Sequence, residues 1–315
     1  MPPNPRQRTG VLAALSSAIL LGMAPVFGRW AILGGFSPLA VVATRTGLAA
    51  LLVFLYLIAF KPQHLYIFPA GLLGCLLAGA INGLGSLLYY QALGSLPASL
   101  GQLLYSLYPL FVAVFSLLDR QAISRLTLLR VGIAAAAVFL LTRADGASAP
   151  LPAVLMMLGA AILYALHIPI NQRVLYEIPA PTVTLYTLLA MSLVTVPFYF
   201  IFDRTPPAPG ATWLPVILLT LVTFISRLML FLGIKHIGGL QAALLGLSEL
   251  FITLLLSRFL LEESLGPLQL LGAGILGISL ILAALEKHGP VKRHPKGGWL
   301  SWLHPPEVQP WSLQD

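Results

Sequence analysis

Ten long apolar stretches are the feature that most restricts what this 315-residue chain can fold into. Crossing the hydrocarbon core of a bilayer takes about 20 apolar residues in a helix. The stretches are continuous rather than alternating in polarity, which favours helices over strands. Each is bounded by charged residues or by clusters of proline and glycine. They lie at residues 10–32, 38–60, 66–92, 98–118, 127–142, 152–174, 181–202, 211–234, 240–260 and 266–285.

The composition agrees with a membrane location. Only 9% of the residues are charged and 58% are apolar, whereas soluble proteins carry charge on about a quarter of their residues. Such a chain cannot be a disordered or a nucleic-acid-binding protein, and its single cysteine, Cys75, excludes a disulfide scaffold. Because backbone groups in lipid must be paired internally, we expect an all-α integral membrane protein with ten transmembrane helices.

Lysine and arginine predict the orientation, since cytoplasmic loops carry an excess of both. With the N-terminus inside, Arg143 and Arg204 fall in outer loops. The cytoplasmic side receives Arg6, Arg8, Lys61, Arg120, Arg125, Arg173, Lys235, Lys287, Lys292, Arg293 and Lys296. We therefore expect a multi-pass protein of the cell (inner or plasma) membrane with both termini cytoplasmic. The formal net charge of +8 is then a topology signal.

The sequence also repeats itself. At an offset of 143 residues, Pro38, Thr44 and Tyr56 fall on Pro181, Thr187 and Tyr199. Further along, the offset drifts to 140, where Leu128 and Gly132 meet Leu268 and Gly272. We divide the chain into a cytoplasmic N-terminus (1–9), a first five-helix repeat (10–145), a second five-helix repeat (150–286) and a basic tail containing Trp and Pro (287–315).

Five helices per repeat is an odd number, so the second copy must enter the membrane upside down relative to the first. Inverted repeats of this kind mark secondary transporters, whose substrate site lies near the midplane between the halves. The sequence therefore predicts alternating access between two inverted repeats.

Two segments resemble a known family. Residues 90–99 (YQALGSLPAS), running on to Tyr108 and Pro109, are similar to the third-to-fourth helix region of the drug/metabolite transporter superfamily. Residues 261–265 (LEESL) and 270–274 (LLGAG) are similar to its ninth-to-tenth helix junction. Together they resemble the EamA-type family over about residues 10–285.

The resemblance implies ten helices in two inverted five-helix repeats and the movement of small metabolites, often the export of amino acids or related compounds. Members often carry a Glu-Pro pair in the fourth and ninth helices. Here the pair is split into Tyr108-Pro109 and Glu249-Leu250. The departure leaves Glu249 without an acidic counterpart in the first repeat.

Two ionisable residues share the predicted membrane midplane. Arg227 and Glu249 each lie eleven residues from Gly238, where a tight turn joins two spans. At about 1.5 Å per residue, both lie roughly 16 Å from that turn. One interpretation is a structural ion pair. The other is a substrate site, in which Arg227 binds an anionic group and Glu249 takes a cationic group or a proton, since ionisable residues at this depth are costly.

Other polar residues recur at helical spacing and are candidates for the walls of a substrate cavity. They are Asn82 and Tyr90, Gln102 and Tyr105, and His167 and Asn171. For each of them an interhelical hydrogen bond is the alternative. Arg45 is interpreted as structural, because its repeat counterpart is Leu188.

No catalytic, cofactor or metal motif is readable, and no phosphate loop occurs that would couple the chain to ATP. We expect a secondary active transporter for a small polar metabolite, an amino acid or other carboxylate, with export favoured. A proton is a candidate coupling ion, lipid is the surrounding partner, and an oligomer is not required. The alternatives are a nucleotide-sugar or phosphate-ester carrier of the same fold, a lipid-modifying intramembrane enzyme, and a receptor or scaffold. A phosphate-ester carrier should place two or more cations in the cavity.

Overall fold

The computed structural model describes residues 5–118 and 150–263, together with positions 129, 132, 133, 266, 267, 271, 274, 275 and 278. The two continuous ranges contain helices and connecting turns. In chain order the helices are α1 (Pro5–Leu33), α2 (Pro38–Phe60), a short 3₁₀ turn (Pro62–Leu65), α3 (Pro69–Ser95), α4 (Ala98–Tyr105), α5 (Tyr108–Leu118), α6 (Leu151–Leu175), α7 (Ala180–Phe202), α8 (Leu214–Ile237), α9 (Gly239–Gly246) and α10 (Ser248–Leu260).

These helices form eight segments that are long and apolar enough to cross a membrane, within the described ranges. Six are single helices, and the other two are the pairs α4 with α5 and α9 with α10. They match eight of the ten predicted spans. The predicted spans at 127–142 and 266–285 fall largely outside the described residues. The first helix begins at Pro5, ahead of the predicted boundary at residue 10.

Local sequence explains where several helices begin and end. Proline stands in the first turn of α2, α3, α6, α7 and α8, where its missing N–H needs no partner. At the start of α2, the Ser37 hydroxyl accepts a hydrogen bond from the Ala40 amide at 3.1 Å. The turn between α8 and α9 depends on Gly238, whose φ of 86° suits glycine. The sequence predicts a tight turn at this residue.

Two spans are interrupted at equivalent places. In the first repeat, α4 ends at Tyr105 and α5 begins at Tyr108. Pro109 accounts for this break, because it cannot donate to the carbonyl four residues back. In the second repeat, α9 ends at Gly246 and α10 begins at Ser248, although no proline follows. The two breaks correspond under the repeat offset, so both halves carry a discontinuous fourth span.

The two halves are interleaved rather than side by side. The most extensive contacts join α1 to α8 and α3 to α6. In the two repeats α1 corresponds to α6 and α3 corresponds to α8, so these two helix pairs are equivalent. The same correspondence relates the contact between α3 and α7 to that between α2 and α8. The sequence repeat is therefore also a repeat of packing, and each half completes its core on the other.

Glycine allows the closest of these crossings. A Cβ at Gly79 would lie 2.4 Å from the Ala190 Cβ and 2.5 Å from the Thr187 carbonyl oxygen. A Cβ at Gly22 would lie 2.5 Å from the Glu249 carbonyl oxygen. Small residues of this kind let membrane helices approach backbone to backbone. α3 thus packs tightly on α7, and α1 packs tightly on α10.

Candidate functional site

A polar cavity lies where the two halves meet. It has a volume of about 50 Å³, which is room for only a few water molecules. Seven of the spans contribute to its wall, including the first and second spans, which the sequence analysis did not implicate. The lining residues are Leu21, Ala24, Pro25, Arg45, Gly85, Ser86, Tyr89, Tyr90, Gln102, Tyr105, Tyr164, Arg227 and Glu249. Five of the eight predicted site residues are among them.

Arg227, on α8, is 4% exposed and is held by residues of the first and second repeats. With the Asn82 amide oxygen assigned toward it, its Nη2 and Nη1 donate to that oxygen at 3.1 and 3.2 Å. Its Nη1 lies 3.5 Å from the His167 Nε2, and its guanidinium lies over the Tyr164 ring at 5.6 Å from the centroid. The Nε has no hydrogen-bond partner among the described residues.

His167 itself does not line the cavity. Its Nδ1 contacts the Tyr164 carbonyl oxygen within the same helix. These two partners fit the neutral tautomer with the proton on Nδ1, which leaves Nε2 to accept from Arg227. His167 and Asn82 therefore lie behind Arg227 and orient its guanidinium from two sides.

Glu249 lines the same cavity, in the first turn of α10, and is 5% exposed. Its Oε2 accepts from the Gln102 Nε2 at 3.4 Å, and its Oε1 accepts from the Tyr108 hydroxyl at 3.5 Å. Both distances exceed the usual range for hydrogen bonds to oxygen. Arg227 and Glu249 face one cavity without forming a direct ion pair. The substrate-site interpretation of these charges stays a prediction.

Arg45 is the site residue that the sequence analysis missed. It extends from α2 into the cavity and is 6% exposed. Its Nη1 donates to the Thr223 hydroxyl and its Nη2 to the Ser86 hydroxyl, both at 3.2 Å. Its guanidinium stacks on the Tyr90 ring at 4.8 Å from the centroid, within cation–π range. Its Nε has no partner among the described residues.

Tyrosine rings form much of the remaining wall. Tyr105 packs against Tyr89 with ring centroids 4.9 Å apart and against Tyr164 at 5.3 Å. Tyr108 meets Tyr164 edge to face at 4.9 Å. The Tyr89 hydroxyl donates to the Gln102 amide oxygen at 3.3 Å. The predicted residues Tyr90, Gln102 and Tyr105 thus belong to one aromatic and polar surface, to which Tyr89 and Tyr164 are added.

Asn171 is the predicted residue that the structure places elsewhere. It is fully buried between α6 and α7, where its amide oxygen accepts from the Thr187 hydroxyl at 3.2 Å. Its Nδ2 donates to the His167 carbonyl oxygen at 3.1 Å. The first contact joins two helices and the second lies within α6, and Asn171 is not among the residues that line the cavity.

The described residues contain no group of three His, Cys, Asp or Glu side chains arranged to hold a metal ion. The chemistry that the cavity does provide is recognition of charge. Two guanidinium groups and one carboxylate line the cavity. Tyrosine rings with hydroxyl donors form much of the rest of its wall. Such a site can bind and orient a small charged molecule.

Eight apolar segments in two interleaved repeats, closed around a polar cavity, define a multi-pass membrane protein with a transporter fold. The chain belongs to the EamA-like transporter family, whose family model matches residues 8–143 and again residues 151–285. The two matches coincide with the two repeats of the structure. This confirms the resemblance of the sequence to the drug/metabolite transporter superfamily.

A solved structure shares the fold. It is a crystal structure described simply as that of a protein, and it superposes with a TM-score of 0.69 at 16% sequence identity. The match covers 88% of this chain and 97% of the other. At this identity the likeness supports the fold alone. No curated protein is significantly similar to the chain in sequence.

Proposed function

We propose that this protein is a secondary active transporter that moves a small polar metabolite across the cell membrane by alternating access. The substrate is an amino acid or another carboxylate, export is the favoured direction, and both termini lie in the cytoplasm. The observation that carries the proposal is the pair of opposite charges, Arg227 and Glu249, which line one cavity between the two repeats. Arg227 binds the carboxylate, while Glu249 takes the ammonium group or a proton.

The small volume of the cavity supports a cycle in which the halves move apart. Space of about 50 Å³ is below the roughly 300 Å³ typical of open ligand sites. Substrate entry therefore requires the halves to separate on one side, and release requires separation on the other. The interrupted spans, α4 with α5 and α9 with α10, are suited to this movement, because discontinuous helices accompany central sites in transporters with inverted repeats.

Flux into reconstituted vesicles tests the proposal. The purified chain is inserted into liposomes, and uptake of a panel of radiolabelled amino acids is followed with and without an imposed proton gradient. We expect accumulation of at least one compound above that in protein-free vesicles. Arg227→Ala and Glu249→Gln should each abolish it at normal protein levels. Binding without movement of any compound would instead fit a receptor and would refute transport.

A phosphate-ester carrier of the same fold is the second candidate function. The observation in its favour is Arg45, because a doubly charged phosphate group needs more than one cation. A phosphate monoester belongs in the same flux panel for this reason. Its transport in preference to every amino acid would favour this second candidate.

A further inference from the structure

The cavity contains an uneven set of charges. Arg45 and Arg227 both line it. Neither forms an ion pair with a carboxylate of the described residues. Glu249 is the acidic residue among those lining the cavity. With all three ionised, the site carries a net charge of one positive unit, and its complement is a molecule with one more negative than positive group.

The two cations are held at successive turns of the same two helices, α3 and α8. Arg45 donates to Ser86 on α3 and Thr223 on α8. Arg227 is itself on α8, one turn below Thr223, and donates to Asn82, one turn below Ser86. One helical turn corresponds to about 5.4 Å along the axis. The residues that hold the two guanidinium groups are thus one turn apart on each helix, and a short dicarboxylate is of the length to place one carboxylate on each group.

Both guanidinium groups retain unused donors. A guanidinium has five N–H donors in a fixed fork, and the Nε of each arginine has no partner among the described residues. A buried donor left without a partner is unfavourable. Two separate arginines with unmet donors at the wall of one cavity indicate a ligand that supplies acceptors to both.

Glu249 adds the third element of recognition. It lines the same cavity as the two arginines, and its two hydrogen bonds are long, at 3.4 and 3.5 Å. Its carboxylate is therefore weakly engaged by the protein. An ammonium group would give it a charge-assisted partner at close range. A dicarboxylate without an amine would leave this negative charge facing its own.

We propose that the substrate class is the amino dicarboxylates, with one carboxylate on Arg227, the second on Arg45 and the ammonium group on Glu249. The inference rests on the proposed function, since it names the substrate of that same site. A neutral amino acid would leave Arg45 unpaired. A plain dicarboxylate would leave Glu249 unpaired. An amino dicarboxylate satisfies all three groups and brings the net charge of the loaded site to zero.

The test combines ligand binding with flux, so that the two proposals fail separately. Thermal unfolding of the purified full-length chain is followed with L-aspartate, L-glutamate, succinate, L-alanine and O-phosphoethanolamine as probes. We expect L-aspartate or L-glutamate to bind at least about tenfold more tightly than succinate or L-alanine, which is the ratio that roughly 1.4 kcal/mol produces. The same order is expected for uptake into vesicles.

Substitutions assign each charge to its group on the ligand. Arg45→Gln should weaken amino dicarboxylate binding about 30-fold or more, the range for removing one partner of a buried charge pair, and should leave L-alanine binding unchanged. Glu249→Gln should bring the affinity for L-aspartate close to that for succinate. Arg45→Lys keeps the charge and should restore part of the affinity if Arg45→Gln folds poorly. Lys61→Gln removes a positive charge from an exposed loop residue and serves as the matched control.

Several outcomes overturn the inference. Equal affinity for L-alanine and L-aspartate would mean that Arg45 does not bind substrate, while flux of L-alanine would leave the proposed function intact. Equal affinity for succinate would remove the role of Glu249. Preference for O-phosphoethanolamine would assign both arginines to one phosphate group. Tight L-aspartate binding without any flux would support the site and refute the transporter.

Discussion

The contact between Gly246 and Tyr108 gives the sharpest prediction about the site. These residues stand at the two helix breaks, one in each repeat. A Cβ added at Gly246 would lie 1.8 Å from the Tyr108 Oη and 3.2 Å from its Cζ. Gly246→Ala therefore forces the hydroxyl to withdraw by more than about 1 Å, because heavy atoms this close repel strongly. The Tyr108 ring cannot turn away easily, since Tyr105 and Tyr164 pack against it.

The expected cost follows from these contacts. Overpacking of a filled core costs about 1–3 kcal/mol. Displacing the hydroxyl also breaks its hydrogen bond of 3.1 Å to the Ala243 carbonyl oxygen, which contributes about 1 kcal/mol. Gly246→Ala should thus lower the free energy of unfolding by about 2–4 kcal/mol, the sum of these two effects. Tyr108→Phe alone should lower it by about 1 kcal/mol, because it removes the hydroxyl that bonds the Ala243 carbonyl oxygen and, at the longer distance of 3.5 Å, Glu249 Oε1.

The double variant is the decisive measurement. Tyr108→Phe removes the atom that the new Cβ strikes, and the next atom of the ring is at 3.2 Å. The double variant should therefore be more stable than Gly246→Ala alone. Unfolding of the purified chain in mixed micelles supplies the four free energies of the cycle. Additivity of the two substitutions within about 0.5 kcal/mol would refute the steric argument and the placement of the break.

Three further substitutions test the packing. Gly79→Ala should destabilise the chain by about 1–3 kcal/mol through overpacking between α3 and α7. Gly47→Ala is the matched control, because its Cβ would have its nearest neighbour at 3.7 Å. Equal thermal stabilities of the two variants would contradict the prediction. Glu263→Gln should lower the stability by about 0.5–2 kcal/mol, the range for a helix cap. The reason is that the Glu263 carboxylate accepts a hydrogen bond from the Ala98 amide at 2.8 Å, at the start of α4. An unchanged melting temperature would show that this cap is dispensable. Thr253→Val should cost about 1 kcal/mol of stability, because it loses the 2.7 Å hydrogen bond to the Gly22 carbonyl oxygen. An unchanged free energy of unfolding in micelles would argue against this link between α1 and α10.

Periodicity and spacing predicted the parts of the structure that depend on helix geometry alone. Each residue advances a helix by a fixed rise, and the structure has the turn at Gly238 from which the common depth of Arg227 and Glu249 was predicted. The boundaries of α2 agree with the predicted span because Pro38 and Lys61 bound a run that is apolar except around Arg45.

The chemistry of the cavity was less predictable, because it depends on which helices meet. Arg45 was interpreted as structural since the second repeat has Leu188 at the equivalent position. A symmetric scaffold, however, requires symmetric packing and not symmetric charge. Tyr164 illustrates the same point: its counterpart under the 143-residue offset is Leu21, and both line the cavity. An arginine seven residues inside an apolar helix was itself the available signal.

The helix break in the second repeat also could not be predicted from the local sequence. Pro109 indicates the break at the end of α4, whereas no proline marks the end of α9. Gly246 is required there by the approach of Tyr108 from the other half. Because Tyr108 approaches in this way, it also contacts Glu249. Tyr108 is the residue of the first repeat at the position equivalent to Glu249.

The interleaving of the halves has a consequence for biosynthesis. The ribosome completes α1 to α5 before it begins α6, so the first half must enter the bilayer without the helices that cover it. During that interval α3 has neither α6 nor α7 against it, and Asn82 lacks the Arg227 side chain that it will later hold. A polar face in contact with lipid is costly, which makes the nascent first half a natural client for insertion factors. The order of synthesis, and not only the final contacts, therefore constrains how polar that face can be.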